Sequence, residues 1–207
     1  KQRRFGDVIE AGKQAIQNIP QDPVLLYMLG NAYLSSQQYN FAEKHLNEAS
    51  TLPARRPLKA NIWGSLADTY AGLEDWDSAF EYYQKAIDLD TQNPVIYNNY
   101  AYYLSQQSKE LSKAEQLALR ALELSPDNSS FMDTVGWIYY KQGQLQKALE
   151  YIQQAIDSGN PTAETLEHMG DVLLKLDKPE EAKKWWKQAL EKDSTRTHLK
   201  NKISNET

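Results

Sequence analysis

The sequence predicts an all-α chain of repeated antiparallel helix pairs, with no strands. Three observations carry that expectation. Small residues recur at near-constant spacing, apolar residues follow a helical period, and no stretch alternates at the period of a strand. The small residues form three series. Ala15, Ala49, Ala86, Ala121, Ala155 and Ala189 lie 34, 37, 35, 34 and 34 residues apart. Gly30, Ala67, Ala101, Gly136 and Gly170 are spaced by 37, 34, 35 and 34. Ala42, Ala79, Ala114, Ala148 and Ala182 are spaced by 37, 35, 34 and 34. The same two irregularities appear in each series, so one register underlies all three. The excess of three falls between Ala49 and Ala67, where Thr51-Leu-Pro-Ala-Arg-Arg-Pro57 reads as a proline-bounded loop between units. The excess of one falls in Ser105–Ser112.

Each element then follows in order. Residues 1–22 read as the second helix of a unit whose first helix would lie upstream, so the chain reads as an internal piece of a longer protein. Full units are expected at 23–59, 60–93, 94–128, 129–162 and 163–196, with a capping helix and tail at 197–207. Trp63, Leu66, Ala67, Tyr70 and Ala71 give one unit its first amphipathic face. Leu145, Ala148, Leu149, Ile152, Ala155 and Ile156 give another its second. Pro23, Pro94 and Pro161 stand at or just before first-helix starts, where a missing N–H costs little. Asp75-Trp76-Asp77 and Gly143-Gln144-Leu145 mark turns inside a unit. The small residues mark close helix crossings, where a larger side chain would overpack. Tyr70, Tyr83 and Trp186 are expected to fill the wedges between pairs.

This punctuation resembles the tetratricopeptide repeat family, in particular bacterial multi-repeat members. The resemblance rests on Leu26-x2-Leu29-Gly30-x2-Tyr33, Trp63-x2-Leu66-Ala67-x2-Tyr70, Tyr97-x2-Tyr100-Ala101-x2-Leu104, Met132-x2-Val135-Gly136-x2-Tyr139 and Leu166-x2-Met169-Gly170-x2-Leu173. Each is followed by its second-helix alanines, and the match covers about residues 15–196. The resemblance implies a right-handed superhelical solenoid whose first helices line a concave groove. It also implies a non-catalytic protein–protein interaction scaffold. Many long bacterial members are exported to the cell envelope or periplasm; the cytoplasm is the alternative location.

Composition excludes several other functions. The absence of cysteine removes disulfides, thiolate metal sites and a cysteine nucleophile. A net charge of −5 disfavours a nucleic-acid binder that works by neutralising phosphates. No apolar run is long enough to span a membrane. His45, His168 and His198 fall in different units, with no His-Glu-x-x-His pair and no Gly-x-Ser-x-Gly elbow. Gly6-Asp-Val-Ile-Glu-Ala-Gly12-Lys13-Gln14 has the wrong spacing for a phosphate loop and sits in an expected helix. No catalytic residue, metal site or cofactor is expected. Arg55, Arg56 and Lys59 read either as solvated loop charge or as a contact for an acidic partner.

The family pattern points first-helix positions two, five, six, nine and twelve into the groove. Mapped onto this chain, these give the binding candidates Asn31, Asp68, Asn98, Asn99, Tyr102, Asp133, Thr134, Trp137, His168 and Asp171. The asparagines can clamp an extended backbone, since each donates and accepts. Tyr102 and Trp137 have the composition of binding hot spots, although Trp137 could equally pack on a neighbouring helix. Asp68, Asp133, Glu164, Glu167 and Asp171 make the groove acidic toward its C-terminal half, favouring a neutral-to-basic segment as ligand. The lysine that family members use at position five to clamp acidic tails is absent; Tyr27, Gly64, Asn98, Asp133 and Glu167 stand there. Two alternatives remain open: the repeat arm of a larger enzyme or sensor, and a self-associating assembly protein. The latter would form a homodimer through solenoid ends near Val8, Ile9 and Ile16.

Overall fold

The computed structural model describes residues 2–89 and 92–205. It contains twelve α-helices among those residues and no strand. In order they are α1 (Gln2–Asn18), α2 (Pro23–Ser35), α3 (Tyr39–Thr51), α4 (Arg56–Gly72), α5 (Trp76–Asp88), α6 (Pro94–Gln106), α7 (Leu111–Leu124), α8 (Ser129–Lys141), α9 (Leu145–Asp157), α10 (Ala163–Lys175), α11 (Pro179–Lys192) and α12 (His198–Asn205). The chain divides into two compact units, residues 1–99 and 100–207. In the first, α2 pairs with α3 and α4 with α5, while α1 lies on α2 and α3 on α4. In the second, α8 pairs with α9 and α10 with α11; α7 lies on α8, α9 on α10 and α12 on α11.

The small-residue series lie where helices cross. Ala42, Ala49, Ala79, Ala86, Ala114, Ala121, Ala148, Ala155, Ala182 and Ala189 are all fully buried. A Cβ placed on Gly30 would come 2.6 Å from Leu46 Cγ, and one on Gly136 would come 2.6 Å from Ile152 Cγ1. Both are far inside van der Waals contact, so the second helix approaches only because no Cβ is there. Tyr83 and Trp186 are fully buried in their wedges. Tyr70 is half-buried and its hydroxyl donates to Glu43 Oε1 at 3.1 Å.

The starts of several first helices are capped. Asp22 Oδ1 accepts from the N–H groups of Val24 and Leu25 at 2.7 and 3.1 Å, with Pro23 as the first residue of α2. Asn128 caps α8 and Thr162 caps α10 in the same way. Each cap supplies an acceptor to N–H groups that have no partner within the helix, worth about 1 kcal/mol.

The turn inside each unit is a repeated backbone motif. Gln37, Glu74, Ser108, Gly143 and Asp177 all have positive φ, between 50° and 76°. After each, the next N–H reaches back to the first-helix carbonyl five residues earlier: Gln38 to Tyr33, Asp75 to Tyr70, Lys109 to Leu104, Gln144 to Tyr139 and Lys178 to Leu173, all at 2.9–3.0 Å. This is a Schellman closure, with one left-handed residue ending the helix. α5 begins at Trp76 and α9 at Leu145, so the turns lie one or two residues earlier than the sequence marks suggest.

Both spacing irregularities have a structural form. The extra residue at 105–112 is taken up by a second left-handed residue, Glu110 at φ 43°, directly before α7. The extra three residues near Pro57 are mostly helical: α4 has 17 residues where α2 and α6 have 13. Only Leu52–Arg55 remains as the connection. Two members of the basic cluster there, Arg56 and Lys59, fold back onto helix ends. Arg56 donates to the Leu89 carbonyl at 3.2 Å, and Lys59 donates to the carbonyls of Ser50 and Leu52. Cations are favoured at helix C-termini, which fixes these side chains within the fold.

Candidate peptide-binding face

The ten candidate residues all lie on first helices: Asn31 on α2, Asp68 on α4, Asn98, Asn99 and Tyr102 on α6, Asp133, Thr134 and Trp137 on α8, and His168 and Asp171 on α10. Most of them touch a neighbouring first helix, and one pairing recurs. Position nine of one first helix meets position six of the following one.

In the first unit, Ser65 Oγ donates to Asn31 Oδ1 at 2.8 Å. Asn99 Nδ2 donates to both carboxylate oxygens of Asp68, at 3.1 and 3.2 Å. The Tyr83 hydroxyl also donates to Asp68. Burial raises the Asp68 carboxyl to about 6, even though the Tyr83 and Asn99 hydrogen bonds pull the other way. Asn98 is buried, and its Oδ1 has no hydrogen-bond partner.

In the second unit, the Trp137 ring stacks on the His168 ring with centroids 4.0 Å apart. It also stacks with Tyr140, with centroids 4.8 Å apart. Trp137 is only 8% exposed, and its Nε1 has no partner. This tryptophan therefore joins α8 to α10 instead of standing free in water. Asp133 is buried beside it and accepts from His168 Nδ1, with both oxygens at 3.1 Å. Burial opposes charge on the His168 imidazole, but Asp133, with Glu164 and Asp171 nearby, outweighs it and raises the pKa. Thr134 is buried and donates to the Ser130 carbonyl at 3.0 Å. Tyr102 breaks the rule: its hydroxyl donates to Glu164 Oε1 on α10, not to α8, at 2.8 Å.

The same rule reaches α12. Asp171 at position nine binds Lys202 at position six, with Nζ at 2.6 and 2.8 Å from its two oxygens. Asp171 Oδ1 also accepts from Trp186 Nε1 at 3.0 Å. Glu167 is buried and meets three side chains: the cations Arg196 at 2.6 Å and Lys202 at 2.9 Å, and the His198 imidazole at 2.9 Å. Burial opposes its charge, but Lys202, His198 and Arg196 overcome this and hold Glu167 down at about 2. The sequence reading assigned the acids but missed these cations. A usable signal existed: Glu167 to Lys202 repeats the 35-residue interval from Asp133 to His168. The acidity expected of this face is thus largely met by the chain's own side chains.

The apolar side chains left open on first-helix positions two and six lie in the first unit. Val24 is 46% exposed and Met28 56%, one helical turn apart on α2, and Val95 on α6 is 49% exposed. The clefts lie elsewhere. One of about 480 Å³ has Leu149, Met169, Leu173 and Trp185 among its lining; another of the same size is bounded by Arg56, Pro57, Asn61 and Leu89. No cluster of three or more metal-ligating side chains occurs among the described residues, and no described helix is long and apolar enough to cross a membrane.

Helix pairs in one register, joined face to face by first-helix side chains, define an α-solenoid of the protein-binding scaffold class. The comparisons specify which one. Two tetratricopeptide repeat family models match residues 21–92 and 82–116, and a model described as anaphase-promoting complex, cyclosome, subunit 3 matches residues 107–187. The TPR repeat-containing protein MJ1428 of Methanocaldococcus jannaschii is 33% identical over 124 residues, covering 60% of this chain and 22% of that protein. The crystal structure of the APC/C hetero-tetramer Cut9–Hcn1 superposes with a TM-score of 0.85 at 17% identity, over 100% of this chain and 40% of that one. That of YrrB, described as a TPR protein with an unusual peptide-binding site, gives 0.64 at 17% identity, over 93% and 97%. The chain is a tetratricopeptide repeat protein. It spans 15%, 22% and 14% of the lengths of three curated relatives.

Proposed function

We propose that this chain is a non-catalytic scaffold that holds a peptide segment or partner helix on its first-helix face, centred on α2. The observation that carries this reading is the exposure of Val24 and Met28 on one stripe of α2, next to the amide of Asn31. Met28 stands at position six, which in later units meets position nine of the preceding first helix, so a partner helix or segment that covers it takes the place such a helix takes there. Two large apolar side chains held in water at adjacent turns lose that exposure when a ligand covers them. The amide of Asn31 and the backbone of a bound segment supply the polar part of such a contact. A neutral-to-basic segment suits a chain of net charge −5. The family supports a protein partner, and the peptide-binding site described for YrrB supports a peptide.

A peptide array probed with wild type and Met28→Glu tests this. Segments that bind wild type are expected to lose about tenfold or more in affinity on the variant, because a carboxylate replaces an apolar contact. Met28 is exposed, so the variant keeps its fold. Equal binding by both proteins removes the α2 face from the account.

A further inference from the structure

α12 differs from every other first helix in how it is held. α10 buries Leu166, Met169, Val172 and Leu173 along with its polar positions. Among the described residues of α12, Leu199 is the only one fully buried, at 0% exposure. Beyond Leu199, Ile203 is half-buried and Lys202 Nζ lies 5.6 Å from the centre of the Trp186 ring, and the remaining contacts are to carboxylates. Arg196, just before the helix, pairs with Glu167 at 2.6 Å and lies 4.0 Å from Glu164. His198 pairs with Glu167 at 2.9 Å, and Lys202 bridges Glu167 and Asp171 at 2.9 and 2.6 Å.

Its receptor, by contrast, is built into the fold. Glu167 is buried on α10, and Asp171 is fixed by the Trp186 indole. If α12 leaves, Glu164, Glu167 and Asp171 lose Arg196 and Lys202 and stand together at the surface as an acidic patch, which favours a positively charged occupant.

We propose that the α10 face bearing Glu164, Glu167 and Asp171 is a binding surface for a basic helix, and that α12 is its resident intramolecular occupant. A partner helix displaces it by presenting the same pattern: a leucine with basic residues three positions before and three after, as Arg196, Leu199 and Lys202 do. Tethering gives α12 a local concentration of roughly millimolar, so a free competitor meets a largely closed site. This surface is separate from the Met28 stripe, and either assignment can fail without the other.

The probe is a fluorescein-labelled synthetic peptide of residues 193–205, titrated by fluorescence anisotropy. The proteins are wild type, a Leu199→Asp/Lys202→Glu variant that expels α12, and that variant with Glu167→Gln and Asp171→Asn added. Circular dichroism and melting confirm that each is folded. The expelled variant is expected to bind the peptide about tenfold or more tighter than wild type, and the added charge removals to reverse the gain. No binding by a folded expelled variant, or binding indifferent to Glu167→Gln/Asp171→Asn, overturns the proposal. If the expelled variant does not fold, hydrogen exchange on wild type decides. Excess peptide is expected to speed exchange of the α12 amides, and unchanged exchange overturns the proposal.

Discussion

At the residue scale, Asp68 and Glu167 show how one side-chain type takes opposite roles in the same register. Asp68 meets only neutral donors, Tyr83 and Asn99, so burial dominates and lifts its carboxyl to about 6. Glu167 meets Arg196, His198 and Lys202, which hold it at about 2 despite burial. Their contributions to stability therefore run in opposite directions with pH. For Asp68 the folded protein binds the proton more tightly than the unfolded chain, so stability falls as pH rises from about 4 to about 6. The full shift corresponds to at most about 3 kcal/mol. For Glu167 the folded protein releases the proton more readily; its contribution is present above about pH 4.5 and is lost as pH falls toward about 2. Urea titrations across pH 3–8 should show that Asp68→Asn flattens the decline between about 4 and 6. Glu167→Gln should flatten the rise at lower pH. A variant that leaves the slope of its own window unchanged contradicts the assignment.

At the scale of the element, the turn and the crossing set the fold. The five intra-unit turns share one left-handed residue each, and only Gly143 among the five is glycine. A Cβ at Gly143 would have nothing within 4 Å, so its cost is backbone strain alone. Gly143→Ala is expected to lower stability by about 1 kcal/mol, and Glu110→Gly to raise it by a similar amount, both read from urea midpoints. Ala114 is fully buried at a helix crossing. Ala114→Leu should cost about 1–3 kcal/mol and lower the melting temperature; an unchanged melting curve would count against the register.

These elements were legible in the sequence because close approach admits only glycine or alanine, and that constraint returns with every unit. The extra turn on α4 was less so. Pro57 was read as bounding a loop, but at the second position of a helix proline loses no hydrogen bond and is compatible with an added turn. The partners of the candidate residues were harder still. Trp137 reads on its own helix equally as a hot spot or as packing against a neighbour, and only the offset between neighbouring first helices brings it onto His168. That offset can be read only by comparing position nine of one unit with position six of the next.

For the molecule as a whole, the repeated contact rule explains why first-helix positions expected to face a ligand are unequal. In the second unit Asp133, Thr134, Trp137 and His168 are buried in the contacts between helices, and Asp171 is held by Lys202 and Trp186. In the first unit Val24 and Met28 are left to solvent. The central claim is that this exposed stripe receives the ligand. The chain has three methionines, so methionine-methyl NMR can test it directly. Titration with a peptide selected on wild-type protein should shift the exposed Met28 methyl in proportion to occupancy, while Met169, fully buried in its unit, stays in place. A peptide that saturates the protein and leaves the Met28 methyl unmoved would contradict the account.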